Sequence, residues 1–218
     1  MKLIDILEEI IIEAEETAVD PNVAELEKAM GDAFKNLGSE FEANKQEVQQ
    51  DVENADVPVN EAITTLTIIG ILLAMPKVLE LFGKGLSKFV LTFKKLFRKG
   101  GAKTEEDKVR VAEAIIEFSH KWHKAYIKGI KYLLKMSGVY KKAKIVGDAN
   151  QEKVAEVIFY VIIAGLALYS GVGAISAFKA AAANAAHGGH LAMGGLESAM
   201  AAIKSGEVQQ FLQKLAIK

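Results

Sequence analysis

The chain has 218 residues, half of them apolar, a formal net charge of −1 and no cysteine, a length sufficient for one large helical domain or two small ones. The lack of cysteine excludes disulfides, thiolate metal sites and thiol nucleophiles together. Charge is segregated: residues 1–57 hold 4 Lys and 16 Asp+Glu, residues 58–150 hold 18 Lys+Arg and 8 acids, and residues 151–218 hold 5 Lys and 4 Glu, so the acidic and basic blocks are expected to pair or to face different environments.

Three prolines (Pro21, Pro58, Pro76) and no sustained strand-like alternation leave helical periodicity as the only strong pattern, and the fold class read from it is all-α. Asp5, Glu8 and Glu9 interrupt the opening MKLIDILEEI, which therefore lacks the uncharged core of a secretion signal. Leu3, Ile6, Leu7, Ile10 and Ala14 form one stripe of an amphipathic helix over 2–18 that stops at Asp20-Pro21. Next, Val23, Leu26, Met30, Phe34, Leu37, Phe41, Val48 and Val52 recur at three- and four-residue spacing, weakened at Asn44 and Lys45. This predicts a long helix with a narrow apolar seam, and Leu26, Met30, Phe34, Leu37 and Phe41 are its candidate oligomerisation residues.

Pro58 ends this acidic arm (1–57), and a basic helical region (58–147) begins. Ala62 to Pro76 is fifteen residues without a charge, short of the roughly 20 that span a bilayer. Extended to Gly83 with Lys77 snorkelling it reaches that length; as a buried core helix it needs no extension. Residues 84–99 divide into an apolar face with Phe89, Phe93 and Phe97 and a basic face with Lys84, Lys88, Lys95 and Lys99, the pattern of a helix lying on an anionic lipid surface. A solvated bundle face and a nucleic-acid contact are the other readings; aromatics opposite the lysines argue against the last, since stacking on bases needs them interleaved.

Thr104 to Asp107 resembles a capping box and opens a helix predicted to end at Ser137-Gly138. Asp148 starts the apolar Gly/Ala-rich region (148–218), in which Val157 to Phe178 is twenty-two residues with no charge. That length meets the criterion for a spanning helix, and a central helix of a bundle is the alternative. The inserting side chains would include Val157, Ile158, Phe159, Val161, Ile162, Ile163, Leu166 and Leu168. Ala167/Gly171 and Gly173/Ala177 give the small-residue spacing that lets two helix backbones approach closely. Residues 180–203 are long enough to return across the bilayer, with His187–His190 at the turn, and a short amphipathic helix with Phe211, Leu212 and Leu215 closes the chain.

No catalytic constellation emerges. The histidines form two His-x-x-His pairs, His120/His123 and His187/His190, with Glu117 three before His120, but a di-iron bundle needs two Glu-x-x-His copies. No metal site, cofactor or enzymatic activity is expected.

An acidic helical arm, a lysine-rich amphipathic centre and a Gly/Ala-rich apolar segment together resemble the small internal virion proteins of tailed phages, and MKLIDILEEI is similar to the starts of phage structural proteins. Those proteins are ejected with the DNA and build a channel in the host envelope. The resemblance implies an elongated helical bundle in the virion or the host cell membrane, homo-oligomeric and in contact with lipid and other virion proteins, nucleic acid being a further partner. Pore-forming bacterial toxins are similar in placing helices around an apolar hairpin, but theirs is longer and more apolar. The functional expectation is a non-enzymatic, oligomeric, membrane-active structural protein; the alternative is a soluble helical virion or scaffold protein whose apolar helices are buried between subunits.

Overall fold

A computed structural model describes residues 21–57, 64–98 and 104–169, with Val172, Ser176, Ala177, Lys179, Glu197, Ala199 and Ala201. The expected helix over 2–18, the closing amphipathic helix and most of 180–203 lie outside the described residues. Every regular element among those described is helical: α1 (Pro21–Ala43), α2 (Lys45–Asn54), α3 (Thr65–Leu73), α4 (Pro76–Arg98), α5 (Glu105–Ser137), α6 (Val139–Lys142) and α7 (Asp148–Tyr169).

Local chemistry sets most boundaries. The long helix expected over 22–54 is two helices that meet at Asn44, where the backbone leaves helical geometry (φ −109°, ψ 23°) and the side-chain amide shares the Glu40 carbonyl with the Asn44 N–H. Thr64 caps α3 by accepting from the Thr67 N–H. The uncharged run Ala62 to Pro76 is not one helix: Pro76 opens α4, where at the first helical position its missing N–H costs nothing. The Thr104/Asp107 capping box forms in full, and Gly138 ends α5 in the left-handed conformation at φ 84°.

α1 lies along α4, and α5 along α7, as the two most extensive pairings. One contiguous core draws on all three charge segments. The α1 seam explains much of it. Leu37 meets Gly85 of α4, where an added Cβ would stand 2.5 Å from the Leu37 Cβ, and Phe34 packs edge-on against Tyr126 of α5 with ring centroids 4.1 Å apart. Phe41–Phe82, Phe89–Phe118 and Tyr126–Phe159 carry aromatic contacts from α1 to α4, from α4 to α5 and from α5 to α7. Each such ring, fully buried, contributes roughly 1.5–3 kcal/mol.

Candidate functional site

The acidic arm pairs with one edge of the basic face of α4. The apolar face of α4 (Val78, Leu79, Leu81, Phe82, Leu86, Phe89) is buried, which turns the lysines outward along the edge shared with α1 and α2. Lys77 Nζ lies 2.8 Å from Glu47, Lys88 Nζ 2.6 Å from Asp32, and Lys95 Nζ 3.6 Å from Glu25, while Lys84 pairs with Glu80 on α4 itself at 2.6 Å. Asp51 of α2 adds a contact that sequence reading missed: its carboxylate accepts the N–H groups of Lys77 (2.9 Å) and Val78 (3.3 Å), capping α4 from another helix. The only signal for it was the opposite charge of the two blocks.

Of the expected lipid-contact residues, Lys84, Lys88 and Lys95 are thus exposed but paired with carboxylates, and Phe89 is fully buried. The side chains of Phe93 and Phe97, and Lys99, lie outside the described residues. Leu91 faces solvent, 62% exposed, on the ridge of Lys84, Lys88 and Lys95.

The seam assigned to oligomerisation is filled by the chain itself. Leu26, Met30, Phe34, Leu37 and Phe41 are each at most 1% exposed, packed inside the same chain, so they present no face to a second copy. A narrow seam is satisfied equally by a helix of its own chain.

The expected spanning helix over 157–178 lies partly outside the described residues. α7 is described as far as Tyr169, and no single helix among the described residues is long and apolar enough to cross a membrane. Its first turns are polar (Asp148, Asn150, Gln151, Glu152, Lys153). Ile158, Phe159, Val161, Ile162 and Ile163 are buried within the bundle and Val157 is half-buried. Ala167 and Ala177 are also buried. The side chains of Leu166 and Leu168, and residues Gly171 and Gly173, lie outside the described set. The described apolar segment nearest to membrane length is instead α3 with the first half of α4: Thr65–Leu73 and Pro76–Phe89 pass together on length and composition, bent by 100° at the break.

Between α1, α5 and α7 lies a polar seam. Lys121 Nζ sits 2.6 Å from Glu27 Oε1, both atoms shielded from solvent. His123 Nε2 faces Tyr160 Oη at 3.3 Å and Glu156 Oε1 at 3.4 Å; burial, with the Glu156 charge adding to it, pushes the Tyr160 phenol up to about 12. Tyr126 is buried with its hydroxyl unpartnered, and that burial raises its pKa well above the ordinary tyrosine value. His123 faces inward while His120 is exposed, and no cluster of three metal-ligating side chains occurs among the described residues. His187 and His190 are outside them.

Neither protein-family profiles, curated proteins nor solved structures yield a match to this chain.

Proposed function

We propose that this chain is a membrane-active structural protein that carries a bilayer-competent segment folded into a closed helical bundle, in keeping with the phage internal virion proteins that its sequence resembles. The observation that carries the reading is the bent α3–α4 pair, whose two pieces together have the length and composition of a membrane span. Residues 65–89 as continuous helix would reach about 37 Å, against a hydrocarbon core of about 30 Å. The segment carries four charges, Lys77, Glu80, Lys84 and Lys88, and Glu80 lies within reach of two of the lysines on α4 itself, 3.8 Å from Lys77 and 2.6 Å from Lys84. Opening of α3–α4 away from α1 inserts the pair, and several copies together line a channel for DNA ejection.

One observation favours the second reading, a soluble helical virion or scaffold protein: the described apolar residues of α1 and α7 are buried inside a single chain. Vesicles of phosphatidylcholine and phosphatidylserine carrying a photoactivatable lipid separate the two. The membrane reading expects covalent labelling within residues 65–89 and retention of the protein after alkaline carbonate. No label there, with full release by carbonate, would establish the soluble alternative.

A further inference from the structure

The eight lysines between Phe118 and Gly147, a stretch of thirty residues without a single Asp or Glu, differ in what they touch. Lys121 pairs with Glu27, Lys131 with Asp148 and Glu152, and Lys142 donates to the Glu53 carbonyl. Lys124, Lys128, Lys135, Lys141 and Lys144 are exposed and have no carboxylate partner among the described residues. We infer that the surface with which this chain first meets an anionic bilayer is this lysine ridge of α5 and the turn that follows it, and that the basic face of α4 is not that surface. The inference rests on the membrane-active reading and names the docking face for it.

Geometry makes the lysines one surface. Lys124, Lys128, Lys131 and Lys135 recur at intervals of four, three and four, which places them along one ridge of the helix, about 16 Å from end to end. Gly138 stops α5, and the turn beyond α6 carries Lys144 at a positive φ of 54°. Two residues later Val146 stands 77% exposed while Ile145 between them is buried. An exposed valine beside exposed lysines with no carboxylate partner among the described residues suits a headgroup layer, where the cation meets phosphate and the apolar tip enters the acyl boundary. On α4, by contrast, a lipid phosphate must first displace Asp32, Glu25 or Glu80 from its lysine.

The same ridge does not suit nucleic acid. Single-stranded binding needs aromatic platforms among the basic residues, and here Trp122, Tyr126 and Tyr140 are buried and Tyr132 packs against the core. A lysine near an anionic membrane surface strengthens binding about fivefold. Replacing three (Lys124→Gln, Lys128→Gln, Lys135→Gln) should therefore weaken binding to vesicles containing phosphatidylserine roughly a hundredfold. Arginine at the same positions should restore it.

The charge-matched control is Lys84→Gln, Lys88→Gln, Lys95→Gln, expected to weaken binding less than tenfold, with circular dichroism confirming that both variants remain helical. An effect of the α4 triple equal to or larger than that of the α5 triple overturns the inference. So does a wild type that binds duplex DNA more tightly than these vesicles and loses that binding in the α5 variant. Labelling of residues 65–89 in the wild type, with vesicle binding unchanged in the α5 triple, leaves the membrane reading standing and removes only this docking face. Absence of both binding and label in the wild type removes both.

Discussion

At Gly85 the helices α1 and α4 come so close that a side chain has no room: an added Cβ would lie 2.5 Å from the Leu37 Cβ and 2.8 Å from its Cα. The second of these atoms is backbone and cannot swing aside, so Gly85→Ala must push α1 off α4. Overpacking of this kind costs about 1–3 kcal/mol, more than the ~1 kcal/mol that alanine gains over glycine as a helix former. Gly70 in α3 is the matched control, since a Cβ there meets nothing within 4 Å. Gly70→Ala is expected to raise stability by roughly 0.5–1 kcal/mol. Denaturant unfolding should therefore give opposite signs for the two variants, and a stabilising Gly85→Ala would refute the close approach on which the closed bundle depends.

The start of α4 shows how one element is held by others. Its orphan N–H groups at Lys77 and Val78 are satisfied by Asp51, and Lys77 is further held by Glu47. Asp51→Ala is expected to lower stability by about 0.5–2 kcal/mol, the value of a helix N-cap, with amide exchange rising first at 77 and 78. Glu47→Gln should cost less than that, since the Glu47 carboxylate stands in solvent. The Glu47 hydrogen bond raises the Lys77 ammonium above its ordinary value, a contribution present below the unfolded value and lost as pH rises through the folded one. The Lys84 bond lowers Glu80 below its ordinary value, so its contribution is present above the unfolded value and lost as pH falls through the folded one.

The Asp51 cap was not visible along the sequence, because it lies 26 residues from the helix it serves and Pro76 alone is as consistent with a helix end as with a first turn. The Thr104 box and the Gly138 stop were legible because every residue they use is local.

For the whole molecule, the all-helical class and the apolar stripes could be read from periodicity, but the identity of what covers each stripe could not. Leu26, Phe34 and Leu37 have the same spacing whether they meet a second copy or α4, and Ile158 to Ile163 are as apolar in lipid as in a bundle core. Charge segregation was the better guide, since the acidic arm does pair with the basic helix, through Asp32–Lys88 and Glu25–Lys95. That pairing places α1 over the segment proposed to insert, and it separates docking from insertion.

The chain has no cysteine, so Asp32→Cys with Lys88→Cys can be joined by a short cleavable thiol crosslinker without side reactions. Joined, α1 is fixed to α4 while Lys124, Lys128 and Lys135 stay exposed. The crosslinked protein is therefore expected to bind phosphatidylserine vesicles as the uncrosslinked double variant does, yet to show no photolabel within 65–89 until the link is cleaved. Equal labelling before and after cleavage would mean that α3 and α4 enter the bilayer with α1 still attached, and the closed bundle would then be the inserting form itself.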